Sequence, residues 1–176
     1  NPDWKIVPLR LEAELVAADP EGEVKQPATA VADKDANFPQ TEILQILNHL
    51  GKKEFPAAIE VAKSYQFRDP ESLAPYKVLG RVYLAAGQPE DAIKVFEHVL
   101  KRTPGDTSAS LNLAQLALVA GDTKAARNYY RAILSRHPDD LTTLLQMAAL
   151  DAREKNAEAM LARLKQAMDA HPTALE

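Results

Sequence analysis

The 176-residue chain contains no cysteine, only six glycines and few aromatic residues, which make up 6% of the sequence. Without cysteine it has no disulfide, no thiolate nucleophile and no cysteine-ligated zinc site. Its unbroken apolar runs reach five residues, as at 116–120, whereas a membrane-spanning helix needs about 20 apolar residues. We therefore expect no transmembrane segment in this chain.

A surplus of basic residues is also missing. The formal net charge is −4, from 21 Lys and Arg against 25 Asp and Glu. Because nucleic-acid binding needs a basic surface against the phosphates, we expect no nucleic acid among the partners. The hydrophobic share of 46% is too high for a disordered chain and supports a folded chain with a core of ordinary size.

The sequence contains none of the familiar arrangements for catalysis, metal binding or phosphate binding. Its four histidines form no ligand pair with acids on the same helix face, and its glycines are scattered along the chain. The paired acids Asp139 and Asp140 fall between predicted helices, where aspartate typically caps a helix. We predict a protein that is not an enzyme, with no catalytic residue, no metal site and no cofactor.

What the sequence does contain is a repeat. Proline typically marks a helix end because it lacks a backbone N–H, and four prolines follow one another at intervals of 34 residues. Small residues recur at one position within this period, and large residues recur at another. The residues are Pro70, Pro104, Pro138 and Pro172, then Gly80, Ala114 and Ala148, then Phe96, Tyr130 and Leu164.

Each period has the pattern of a helix, a turn and a second helix. Gly87 and Gly121 fall at mid-period, where glycine supplies the left-handed turn after a first helix, and Pro89 suits the first turn of a second helix. This 34-residue unit resembles the tetratricopeptide repeat. The resemblance implies an all-α fold, a right-handed superhelix (solenoid) of antiparallel helix pairs. The predicted helices are 41–51, 55–67, 73–86, 89–102, 107–120, 123–136, 141–154 and 157–170.

The period divides the chain into five segments of one continuous array, which we expect to be part of a longer one. Segment 1–38 is predicted to be a degenerate repeat, a loosely ordered segment, or both. Its in-phase apolar spacing favours a repeat, whereas Pro27 and Ala36 favour a distorted segment or a linker over 20–38. The complete repeat units are 39–72, 73–106, 107–140 and 141–174.

In tetratricopeptide arrays the first helices of successive units line a concave groove, and the resemblance assigns several positions of each unit to it. None of the residues at these positions is Asp or Glu, although the chain as a whole is acidic. We therefore predict a groove that binds a protein or extended peptide, or an acidic polymer; the alternative is that these positions simply pack tightly. The candidate binding residues are Lys77, Arg81, Asn112, Gln115, Gln146 and Arg153.

One known form of this groove is the carboxylate clamp of chaperone-binding tetratricopeptide domains. Lys77 and Asn112 match the pattern of the clamp. Arg81, Thr142 and Gln146 depart from it. This partial agreement does not support a chaperone cofactor.

The last predicted helix carries an apolar face formed by Leu161, Leu164 and Met168. Repeat arrays normally end in units with a polar outer face, because an uncovered apolar face lowers solubility. We expect this face to be covered by a continuing repeat or by self-association of the chain through its uncapped ends.

The amino-acid sequence within the units resembles that of a particular group of tetratricopeptide proteins. Segments 43–50, 55–58, 75–87, 111–114 and 121–127 look like those of the tetratricopeptide lipoproteins of bacterial exopolysaccharide loci, the PEP-CTERM system. The resemblance implies a periplasmic scaffold for protein–protein interaction in exopolysaccharide assembly, export or protein sorting. Such a scaffold is anchored to the outer membrane through a lipidated cysteine, which we expect upstream of this chain. The alternatives are a cytoplasmic adaptor or assembly factor, and a repeat domain appended to a larger enzyme.

Overall fold

The computed structural model describes residues 38–172. This part of the chain is all helical and contains no strand, which confirms the all-α class. The segment 1–37, for which a degenerate repeat or linker is predicted, lies outside the described residues. The helices are α1 (Phe38–Gly51), α2 (Phe55–Arg68), α3 (Ala74–Ala85), α4 (Pro89–Arg102), α5 (Thr107–Val119), α6 (Thr123–Leu134), α7 (Leu141–Arg153) and α8 (Ala157–Ala170).

The turns between paired helices repeat the same backbone conformation every 34 residues. Gly87 and Gly121 have positive φ values of 71° and 82°, as predicted for glycine at mid-period. Lys53 and Lys155 hold the same position in the first and last helix pairs, with φ values of 61° and 59°. A non-glycine residue adopts this left-handed conformation only when its surroundings enforce it. The helix-pair geometry therefore sets the turn even where the sequence has no glycine.

Within residues 38–172, four helices begin with the same kind of side-chain cap. Asp106 Oδ1 accepts a hydrogen bond from the backbone N–H of Ala109, and Asp140 Oδ1 accepts one from Thr143 over 2.7 Å. Asp122 and Asn156 cap α6 and α8 in the same way. Each cap satisfies a backbone donor that has no partner within the helix. The predicted capping role of Asp140 is confirmed.

The described part of the chain divides into two compact units, and the boundary between them, at Val95 and Phe96, falls within α4. In the first unit α2 packs against both α1 and α3. Its apolar core contains Ile46 from α1, Ala62 from α2 and Val82 from α3, all fully buried. An ion pair between Arg68 and the buried Glu42 also joins α2 to α1.

In the second unit α5 packs on α6, α6 on α7 and α7 on α8. Its apolar core is built on Tyr130 and Ile133 of α6, with Ala114 from α5 and Met147 from α7. The consecutive packing of helices joined by short turns agrees with a tetratricopeptide solenoid. The handedness of the superhelix and the division into repeat units stay predictions.

Large residues at the predicted packing position are buried, except in the last helix. Phe96 is 0% and Tyr130 2% exposed, whereas Leu164 on α8 is half-buried. Leu161 and Met168 on the same helix are 61% and 58% exposed. The predicted apolar face of α8 is therefore open to solvent over most of its area.

No helix within residues 38–172 is both long enough and apolar enough to cross a bilayer.

Candidate functional site

The structure places the two candidate binding residues of the first unit on α3. Lys77 is half-buried, and Arg81 is only 6% exposed. Arg81 belongs to the buried half of α3, together with Val78, Leu79 and Val82. The side chain of Arg81 is therefore largely covered by the residues around it. The binding role of both residues stays a prediction.

The other four candidates lie in the second unit, on the first helices of two successive pairs. Gln115 on α5 and Arg153 on α7 are exposed. Asn112 and Gln146 are half-buried, and Asn112 donates from Nδ2 to the carbonyl oxygen of Ser108 over 2.8 Å. We refer to the outward faces of α5 and α7 as the amide faces, defined by Asn112, Gln115 and Val119 on α5 and by Leu145, Gln146 and Arg153 on α7.

Helical spacing explains why these residues share a face. Asn112, Gln115 and Val119 follow one another at intervals of three and four residues, which is one side of an α-helix. Val119 is 66% exposed, and Leu145 on α7 is 36% exposed. The candidate binding residues predicted from the sequence do not include these two apolar residues. Each amide face therefore combines amide groups with exposed apolar side chains.

The amide faces contain no acidic residue. Helix α5 has no charged residue at all. Helix α7 has two, of which Asp151 is 1% exposed and points into the core, while Arg153 is exposed. Amide groups both donate and accept hydrogen bonds, so the two faces match the polar groups of a peptide backbone better than they match a densely charged ligand.

A buried ion cluster in the second unit was not predicted from the sequence. Arg127 of α6 lies 2.7 Å from Oδ1 of Asp151 through Nη1 and 2.7 Å from Oε2 of Glu154 through Nη2. Arg163 of α8 donates from Nε to Asp151 Oδ2 over 2.9 Å. Burial lowers the pKa of Arg127, but its hydrogen bonds to Asp151 and Glu154 and their charges outweigh burial, so that the pKa is raised. The guanidinium group therefore stays charged.

A surface depression of about 450 Å³ lies at the N-terminal end of α7. Its lining includes His137, Asp139, Asp140 and His171, and His171 Nε2 lies 2.5 Å from the carbonyl oxygen of Asp139, to which it donates. In residues 38–172 no group of three or more His, Cys, Asp or Glu side chains is arranged to hold a metal ion. His137 lies in the loop that follows α6, and His171 is the residue that follows α8.

A comparison with known families supports the assignment of the repeat. Residues 78–140, from α3 to the start of α7, match the family model of the tetratricopeptide repeat. The match supports a tetratricopeptide repeat protein. No curated protein matches the chain. The resemblance to exopolysaccharide-system lipoproteins stays a prediction.

Proposed function

We propose that this chain is a non-catalytic scaffold that binds a protein partner through the first helices of its repeats. The match to the tetratricopeptide repeat supports an interaction scaffold, because such repeats generally bind proteins. The observation that carries the proposal is the pair of acid-free amide faces on α5 and α7, where Val119 and Leu145 are exposed.

The composition of these faces favours an extended peptide as the ligand. Exposed apolar side chains such as Val119 gain free energy when a partner covers them. Amide groups such as that of Gln115 can pair with backbone N–H and C=O groups. An acidic polymer is the weaker candidate, because Arg153 supplies the only cationic side chain of the two faces.

The experiment introduces acids on the amide faces. The double variant Gln115→Glu, Arg153→Glu is used to recover partners from a native extract of the source organism, and the recovered proteins are identified by mass spectrometry. We expect at least a tenfold loss of the partners that the unchanged chain recovers, because like charges and unpaired carboxylates oppose docking. Circular dichroism checks that the helix content is unchanged.

The matched control reverses two exposed charges on a second helix of the same unit. The double variant Lys124→Glu, Arg131→Glu changes α6, where both residues are exposed. We expect this control to recover the same partners as the unchanged chain. If the control loses them and the first variant keeps them, the binding surface lies on the side of α6 and the proposal is wrong.

A finer proposal concerns the cellular role. We propose that the scaffold acts at the bacterial cell envelope, in the periplasm, in exopolysaccharide assembly, export or protein sorting, and is anchored to the outer membrane by an upstream lipidated cysteine. The resemblance of segments such as 75–87 and 121–127 supports this role. The full open reading frame tests it: a signal peptide with a lipid-acceptor cysteine agrees with the proposal, whereas a catalytic domain or a cytoplasmic start contradicts it.

A further inference from the structure

One buried carboxylate joins three helices of the second unit. Asp151 on α7 is 1% exposed, and α7 packs against both α6 and α8. Arg127 of α6 and Arg163 of α8 pair with different oxygens of this carboxylate, at 2.7 Å and 2.9 Å. Asp151 is therefore the shared partner of two guanidinium groups from two different helices.

The contact between α6 and α7 combines apolar and ionic parts. The buried apolar cluster around Tyr130 and Ile133 of α6 takes one buried residue from α7, Met147. Arg127 adds an ionic connection from α6 to Asp151 and to Glu154 on the C-terminal side of α7. The contact between α5 and α6, in contrast, contains the remaining buried members of that apolar cluster and does not involve Asp151.

Neutralising Asp151 leaves two cations without their shared partner. The side chains of Arg127 and Arg163 are 16% and 25% exposed, so water compensates their charges poorly. Glu154 stays close to Arg127, but its side chain is 41% exposed, which weakens its attraction. Removing one partner of a buried ion pair is strongly destabilising because the other charge stays buried. This cost falls on the contacts of α7 with α6 and α8.

We infer that Asp151 is a charge-dependent latch that docks the helix pair α7–α8 onto α6. Neutralising this one carboxylate loosens the contacts of α7 and α8, while α5–α6 stays folded. The latch does not depend on what the amide faces bind. It does control whether Gln146 and Arg153, which lie on α7, are held in place.

Native-state hydrogen exchange on the full chain, followed by mass spectrometry, tests the latch. In the variant Asp151→Asn we expect amides of α7 and α8 to exchange about 100-fold faster than in the unchanged chain. Amides of α5 and α6 are expected to change less than tenfold. The matched control Glu154→Gln removes the exposed partner of Arg127 and is expected to change exchange less than tenfold throughout the second unit.

Two further variants use Arg163. As a single substitution, Arg163→Met keeps the Arg127–Asp151 pair. We expect it to increase the rate of hydrogen exchange about tenfold, and only in α7 and α8. Added to Asp151→Asn, the same change removes one stranded cation and is expected to restore part of the lost protection. If Asp151→Asn does not accumulate as a folded chain, Arg127→Met decides in its place, because it removes the ionic connection from α6 to Asp151 and keeps the Arg163–Asp151 pair. Equal acceleration across α5–α8, or no acceleration in α7–α8, overturns the latch.

Discussion

The backbone of Gly105 lies directly against the side chain of Arg136. A Cβ atom at Gly105 would come 2.7 Å from Arg136 Cδ and 2.9 Å from the carbonyl oxygen of Ala132. Arg136 in turn donates a hydrogen bond to the carbonyl oxygen of Pro104. The C-terminal end of α6 is thus held against the loop that precedes α5. The approach is so close that a side chain at Gly105 would overlap with Arg136 and with the backbone of Ala132.

This relationship predicts the cost of adding a methyl group. Gly105 has a φ of +79°, and Gly121 in the same unit has a φ of +82° with nothing within 4 Å of its Cβ position. We expect Gly121→Ala to lower the free energy of unfolding by about 1 kcal/mol, the cost of the left-handed backbone alone. Gly105→Ala should lower it by about 2–4 kcal/mol, because the contact with a backbone oxygen adds to that cost.

Denaturant unfolding followed by far-ultraviolet circular dichroism measures both variants. Gly121→Ala is the matched control, since it changes the backbone preference without a steric contact. Equal losses in the two variants would mean that Ala132 and Arg136 shift aside freely, and the close approach would then have no energetic role.

The cap of α7 gives a second prediction. Asp140 Oδ1 accepts a hydrogen bond from the backbone N–H of Thr143 over 2.7 Å. Asp140→Ala leaves that donor without its partner, and we expect a loss of about 1 kcal/mol in the free energy of unfolding. Asp140→Asn keeps an acceptor oxygen, and we expect it to lower the free energy of unfolding by only about a few tenths of a kcal/mol. Thermal unfolding monitored by circular dichroism compares the two; equal losses would contradict the capping role.

The sequence predicts the helices well because their boundaries depend on local chemistry. Proline, glycine and capping aspartate recur with the period, and the structure has helix ends within three residues of the predicted positions. Lys53 and Lys155 carry no local signal for a left-handed turn, yet their positions follow from the 34-residue phase. The repeat therefore supplies what the individual residue does not.

The candidate site is less predictable, because burial depends on neighbouring helices. The period places Arg81 on the predicted groove face, but it cannot tell how much of α3 is covered, and Arg81 is 6% exposed. Asp151 occupies a position where an earlier unit has Tyr83. Its partners Arg127 and Arg163 come from other helices, so no local pattern indicates the cluster. An acid at the repeat position where the other units have His49, Tyr83 and Ala117 is the one signal that points to it.

Packing at Tyr130 gives a third prediction. Tyr130 is 2% exposed in the core of the second unit, whereas its neighbour Tyr129 is half-buried. We expect Tyr130→Ala to lower the free energy of unfolding by about 3–5 kcal/mol, because it leaves a large cavity. The control Tyr129→Ala should cost roughly half of that or less. Denaturant unfolding measures both, and a cost below about 1 kcal/mol for Tyr130→Ala would mean that the repeat phase is wrong.

Burial of the tyrosines predicts a loss of stability in alkali. Burial raises the pKa of Tyr130 above its ordinary value; burial, together with the charges of Glu97 and Asp122, also raises that of Tyr129. Above a pH of about 10 the unfolded chain loses these protons while the folded chain keeps them, so the unfolded state binds fewer protons and stability falls as the pH rises.

Absorbance at 295 nm and circular dichroism, recorded together between pH 8 and 12, check this expectation. The last phenol to ionise should do so only as the helices unfold. In Tyr130→Phe the alkaline loss of stability should be smaller than in the unchanged chain. Ionisation of all five tyrosines near pH 10 without loss of helix would contradict it.

The open face of α8 gives the last prediction. Leu161 and Met168 are 61% and 58% exposed and lie seven residues apart, on one side of the helix. Covering such side chains removes apolar surface from water, which favours association. We expect the chain to self-associate with rising concentration, and Leu161→Gln with Met168→Gln to weaken the association at least tenfold. Sedimentation velocity over a hundredfold range of concentration measures the association.

Leu44→Gln on α1, where the leucine is 66% exposed, is the matched control and should leave the association unchanged. If the chain is monomeric at every concentration, or if the control weakens the association equally, α8 is not the contact.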